Sequence, residues 1–342
     1  MAETSAIEWC DATVNFWWGC TKVGPGCDNC YAEEWNNFRG NKLWGAGAPR
    51  REIKGAVALI QKLQRDAVRF FDQHGRKRRV FMQSMSDTFD NEVDDALRQR
   101  LFDCAKAADR LNVMLLTKRI PNVEKMVPLS WRDGHWPQHV GLMVTIVNQT
   151  EANRDIVRLL ELKKRLGIPW VGVSIEPMLE LIRLRQLQLG GGIYLDAITG
   201  CHGKVEKFGS WNRALKAASK GTRTPVALPE RLPTLDLVIV GGESGKNARP
   251  MHPHWAETIY RDCTSIASRT AFLFKQWGEW MPESDVPPGM SRRGLEAIEL
   301  NRNPSAFATV HMDIMRMYRA GKHRSGRLLN GREHINFPEA LR

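Results

Sequence analysis

No apolar run in the 342 residues approaches the ~18 that a membrane-spanning helix requires, so a helical membrane protein is excluded. The first residues, MAETSAIEWC, lack the basic stretch and apolar core of a secretory leader. A cytoplasmic protein is expected, in which seven cysteines seldom pair as disulfides. No histidine precedes His74, so the cysteines near the N-terminus have no imidazole close by in sequence. No segment repeats with the period of a solenoid. Acidic residues are in short supply, 38 against 50 Lys and Arg, and the resulting charge of +12 points to a polyanionic partner such as DNA, RNA or a phosphorylated substrate, or to no more than a basic surface. Hydrophobic residues are plentiful at 42%, with 12 Trp, enough for a substantial packed core.

Seven short β-branched or aromatic segments read as strands: Thr13–Trp18, Val80–Gln83, Val113–Thr117, Val140–Ile146, Trp170–Ile175, Leu237–Val240 and Ala271–Lys275. Helical-period stretches lie between them, over Ile53–Gln73, Glu92–Ala108, Glu151–Leu166 and Trp255–Ser268. This alternation predicts an α/β fold of parallel βαβ units, a partial or nearly closed TIM-like (β/α) barrel. The barrel is expected over residues 1–280 with an insertion at about 190–221, and a basic C-terminal extension over 281–342 is expected to pack on it.

The segment Gly19–Tyr31 carries Cys20, Cys27 and Cys30 in the spacing C-x6-C-x2-C. Its glycines and Pro25 permit a tight loop between a predicted strand and a predicted helix. Three thiolates can hold three irons of a [4Fe–4S] cluster and leave the fourth open, the arrangement needed to bind S-adenosylmethionine (SAM). A structural zinc site wants four donors. Cys10, or the distant Cys201 and His202, would have to complete it, and the chain would then be a non-enzymatic zinc-containing nucleic-acid-binding protein. Spacing alone leaves cluster, zinc and plain buried thiols open.

Parallel barrels build their sites beyond the C-terminal ends of the strands. Lys118 and Arg119 end a very apolar strand, where they suit a carboxylate or phosphate, or form a solvated pair. Glu176, just before Pro177, is placed to accept from ribose hydroxyls or to donate a proton. The loop Gly241–Gly245 offers amides to an anion, with Glu243 and Arg249 as a candidate pair. Lys275, Gln276, Trp277 and Trp280 combine charge, amide and ring surface suited to a base, unless the tryptophans are core. The run Arg76–Arg79 enters its strand from the opposite edge and reads as a solvated patch. Arg316, Lys322, His323, Arg324, Arg327 and Arg332 suit a phosphate backbone.

The runs Ile7–Trp9, Gly19–Lys22, Pro25–Cys27 and Cys30–Glu33 resemble those of a phage- and bacteria-associated family of three-cysteine proteins of unknown function, close to the radical SAM superfamily. The likeness continues in order through Ser84–Asp87, Leu116–Arg119, Ser174–Pro177, Val240–Gly245, Ala248–Met251, Phe274–Trp280 and Gly326–Gly331. The first gap is six residues where the superfamily commonly has three, and Asn29 stands where an aromatic residue usually precedes the third cysteine. The resemblance implies a partial TIM-like barrel and a [4Fe–4S] cluster on Cys20, Cys27 and Cys30, with SAM at the open iron. An external one-electron reductant would drive cleavage of SAM to a 5′-deoxyadenosyl radical. Ser84, Ser86 and Asp87 are the implied contacts to the SAM amino group, although Ser86 or Asp87 also suits a cap on the following helix. Lys118, Arg119, Glu176, Gly241, Gly242 and Glu243 are further cofactor contacts, and Glu176, Glu243 and Lys275 are the candidate catalytic groups. The expected substrate is a nucleic-acid base, in repair or modification.

Overall fold

The computed structural model describes residues 1–204, 230–266, 268–301 and 314–342. Within them the seven apolar segments form β1 (Ala12–Val14), β2 (Arg79–Met82), β3 (Asn112–Thr117), β4 (Val140–Thr145), β5 (Val171–Ile175), β6 (Leu237–Gly241) and β7 (Ala271–Gln276). They make one wholly parallel sheet whose spatial order is the sequence order, as helical crossovers allow. The sheet is a half-barrel with β1 and β7 as its two edges, the open form of a partial TIM-like fold. Both edges are covered, which removes free pairing surface. Ala2 pairs antiparallel with Thr13 on β1, and the chain at 334–336 runs along β7.

Side chains alternate across the sheet, and the two faces build separate cores. The outward set, including Val80, Leu115, Val144, Val173 and Val240, packs with Leu63, Leu101, Leu159 and Trp255 of the surrounding helices. The inward set, Phe81, Met114, Met143, Ile239 and Leu273, packs with Trp9, Trp170, Phe337 and Leu341. These last four side chains plug the lower part of the half-barrel. Gly141 faces this plug, where a Cβ would stand 1.9 Å from the Trp170 indole. Gly141→Ala should therefore shift the indole or the strand and cost about 1–3 kcal/mol by overpacking. A lower urea midpoint at constant slope would report this; an unchanged midpoint would refute the packing argument.

Several expected elements differ in detail. Thr13–Trp18 is not one strand: the chain leaves the sheet after Val14, where buried Asn15 accepts from Met85 N–H and Phe16 N–H donates to Gln83 Oε1. Trp17–Trp18 then pairs antiparallel with Arg51–Glu52. The stretch Ile53–Gln73 splits at Asp66 into the helices Ala56–Arg65 and Ala67–His74. The helix Asp95–Ala107 is capped by Asp94, which accepts from the N–H groups of Ala96 and Leu97. Neither Ser86 nor Asp87 caps it. Arg76 pairs with Asp11, but Arg79 is buried, 3.4 Å from the Phe337 ring centre, so the basic run ends inside the plug and not in solvent.

The expected insertion begins as an antiparallel sheet of Leu187–Gly190, Ile193–Leu195 and His202–Lys204. Its basic patch at 205–221 lies outside the described residues. Trp280–Pro282, Ala297–Asn301 and Ile314–Arg319 form a further antiparallel sheet. Among the described residues no helix is long and apolar enough to cross a membrane.

Candidate functional site

Above the plug the inward positions turn polar. Thr145 and Ser174, register partners on β4 and β5, face a cavity of about 340 Å³ at the C-terminal edge of the sheet. Cys20, Cys27 and Cys30 border it, and so do Ser84, Ser86, Asp87, Lys118, Arg119, Glu176, Gly242, Glu243 and Lys275. Gly241 ends β6 just behind, packed against Glu176 and Lys275. Residues spread from 20 to 275 in sequence are thus brought to one place because each lies at or beyond the C-terminal end of a strand of the same sheet.

The cysteine loop is held from two sides by charged side chains. On one side Arg119 donates to Thr21 O at 2.7 Å and lies 3.5 Å from Cys20 Sγ. Arg119 pairs with Asp87 at 3.2 Å, both side chains being 7% exposed. On the other side Arg249 donates to Pro25 O and Asp28 of the loop. The same guanidinium is gripped by Glu243, which also accepts from Arg249 N–H. The loop lies against the end of β4 closely enough that a Cβ on Gly26 would stand 2.7 Å from Val147 Cγ1.

Several of the predicted contacts have bonding taken up within the protein: Ser86 Oγ accepts from Gln83 Nε2 and donates to Trp17 O, and Ser84 Oγ accepts from Asn15 Nδ2. Asp87 accepts from Thr117 Oγ1, Lys118 N–H and Phe89 N–H as well as pairing with Arg119. Its carboxylate therefore positions the Arg119 clamp. In the glycine loop the Gly242 N–H donates to Gln276 O and the Gly245 N–H to Glu279 Oε1. What the loop turns toward the cavity is Glu243 and Ser244.

Lys275 and Glu176 form an ion pair at 2.7 Å inside the cavity, and Ser174 Oγ donates to the other carboxylate oxygen at 2.9 Å. Burial alone would favour the neutral amine, but Glu176, with Glu8 beyond it, raises the Lys275 pKa above its ordinary value. Three cavity-lining polar atoms are buried without a protein partner: Thr145 Oγ1, Trp9 Nε1 and Glu8 Oε2. Thr145 is only 4% exposed. A buried polar atom without a partner is costly, so such a set marks where a ligand or water completes the site.

Burial pushes the Cys20 thiol up to about 12 and raises that of Cys30, although Arg119 pulls the former down. A bound cation reverses that balance, because the metal ligand is the thiolate. Among the described residues no three His, Cys, Asp or Glu side chains are grouped to hold a single ion. Tetrahedral zinc needs such convergence. A cluster takes each thiolate on a different iron, and Cys20, Cys27 and Cys30 border one cavity. Cys201 is exposed beside His202 on the antiparallel sheet and does not border the cavity.

Other expectations separate into surface and core. Trp277 and Trp280 are buried, with their indole N–H groups on Leu328 O and Ala248 O, so they offer no stacking face. Lys322 of the basic tail lines the cavity, whereas Arg316 and Arg327 pair with Glu299 and Glu333. Sequence reasoning missed Glu8, Trp9, Tyr31 and Thr145. Only Thr145 carried a usable signal, as an inward position at the end of a predicted strand.

Residues 4–338 match a family described as protein of unknown function, DUF5131. The chain belongs to that family. No curated protein and no solved structure matches it. The DUF5131 match runs through the cysteine loop, all seven strands and the segment covering β7, so the cavity lies wholly inside the family's common region.

Proposed function

We propose that this DUF5131 protein is a radical SAM enzyme acting on a nucleic-acid base. One observation carries the reading: three cysteines and the polar ends of six strands meet at one cavity that keeps unpartnered buried polar atoms. Cys20, Cys27 and Cys30 would hold the [4Fe–4S] cluster, while Ser84, Ser86, Lys118 and Ser244 would meet SAM. When bound and reduced from outside, such a cluster would supply the one electron needed for reductive C–S cleavage of SAM. The chain's own share is positioning and exclusion. Arg119 and Arg249 fix the cysteine loop, and the apolar plug under the cavity keeps water from its floor. Glu176 holds the Lys275 proton in place, so a cation faces the substrate end. Thr145, Trp9 and Glu8 provide a hydroxyl, an N–H donor and a carboxylate acceptor, the mixture a heterocyclic base edge can satisfy.

The test is direct. Anaerobically reconstituted, reduced protein incubated with SAM should form 5′-deoxyadenosine slowly without substrate. A fully loaded, reducible cluster that yields none would remove the radical reading. Protein that keeps zinc and no iron after anaerobic purification would favour a zinc-containing nucleic-acid-binding protein instead.

A further inference from the structure

The helix α1 (Tyr31–Phe38) leaves the cavity directly after Cys30 and turns an aromatic stripe to water. Tyr31, Trp35 and Phe38 stand at i, i+4 and i+7, which puts them on one helical face. They are 56%, 43% and 78% exposed. The Trp35 and Phe38 rings stack with centroids 5.5 Å apart and planes at 21°, and the Arg39 guanidinium lies 4.6 Å from the Trp35 ring centre. The flanking face is anchored, since Ala32 and Asn36 are buried and Asn36 bonds Asn41 O and Leu43 N–H. The stripe is therefore held outward by a fixed helix.

Its position gives it a use. Tyr31 lines the cavity and donates its hydroxyl to Ser84 O, so the stripe starts at the cavity mouth and extends outward by about 10 Å. Contiguous exposed apolar surface of this kind marks a docking site. The surroundings are cationic at its outer end: Arg39 and Lys42 are exposed, and Arg51 bonds Asn41. Of the acids in the first turn, Glu33 is neutralised by Lys22 at 2.8 Å and Glu34 lies beside Gly245. Flat ring faces with a stacked guanidinium, on a chain of net charge +12, complement bases strung on phosphates better than an apolar protein helix.

We propose that the α1 stripe is a stacking platform for a single-stranded nucleic-acid segment, holding bases that flank the one delivered to the cavity. This rests on the nucleic-acid reading of the substrate. The full chain is titrated into a fluorescent single-stranded oligonucleotide of about 12 nucleotides, with mixed-sequence DNA and RNA as separate probes. Trp35→Ala and Phe38→Ala should each weaken binding about fivefold or more. Because they remove no phosphate contact, the slope of log affinity against log salt should match the parent protein. Arg39→Gln should weaken binding with a shallower slope. Parent-like binding by Trp35→Ala would overturn the proposal, as would no retention of either oligonucleotide at low salt. A change of oligomeric state on substitution would also overturn it, by assigning the stripe to a second copy. Formation of 5′-deoxyadenosine without substrate separates the two readings. A protein that forms it but binds no oligonucleotide loses the platform and keeps the radical chemistry, and the reverse result does the opposite.

Discussion

The Cys27→Ala protein, reconstituted anaerobically with iron and sulfide, should retain little iron, whereas Cys10→Ala, Cys104→Ala and Cys263→Ala should retain nearly the full amount. Cys27 closes the short helical turn Pro25–Cys27 at the cavity wall, and no neighbouring thiol is placed to replace it. Cys10 sits below, in the apolar plug, with its Sγ on Ser5 Oγ and its thiol pushed up to about 12 by burial. Cys263 is a buried residue of the helix Pro253–Thr264 on the outer face of the sheet, and burial likewise raises its thiol. Cys104 lies on the helix Asp95–Ala107 and does not border the cavity. Removing a cluster ligand exposes iron to solvent and leaves two thiolates where three are needed. A full cluster in Cys27→Ala would sink the ligand assignment, and loss of iron in Cys10→Ala would mean a fourth protein ligand.

The half-barrel was legible in the sequence because its strands are buried on both faces. Segments such as Val113–Thr117 and Leu237–Val240 read as continuous apolar runs and carry their own boundaries. The site was legible for a related reason: in a parallel sheet the residue just past each strand is carried to the same edge. That placed Lys118, Glu176, Glu243 and Lys275 together without any contact being known. Sequence failed where the decisive neighbour was distant. Asp87 reads as a ligand or a cap, and only the return of β3 beside β2 shows Thr117 and Arg119 consuming its oxygens. Trp277 and Trp280 read more readily as core than as a stacking surface, and an indole's fate depends on what covers it. The exposure of Trp35 and Phe38 has no sequence signal, because apolar residues at helical spacing ordinarily mark the buried face of a helix. Glu8 lies before the first strand, where no periodicity points anywhere.

Arg119→Met should be the most disruptive single change near the site. Its guanidinium lies between Asp87 and Asp90, at 3.2 and 3.8 Å, with all three side chains nearly inaccessible. Asp90 keeps a second partner in Arg50 at 2.8 Å, but Asp87 has no other cation within ion-pair distance among the described residues. Removing one partner of a buried pair strands the other charge, which typically costs about 3–5 kcal/mol. The loop also loses the donor to Thr21 O, so reconstituted iron should fall along with the unfolding midpoint. Arg119→Lys keeps a charge but cannot span Asp87 and Thr21 O with one planar fork, and should recover stability only in part. The deciding comparison is a double-mutant cycle with Asp87→Asn, whose amide oxygen still accepts from Thr117 and Phe89. With the carboxylate neutralised, losing Arg119 no longer strands a charge, so the double variant should be more stable than the two single losses sum to. Strict additivity in that cycle would mean that Asp87 and Arg119 act independently, and the clamp on the cysteine loop would then have to be assigned to Arg249 and Glu243 alone.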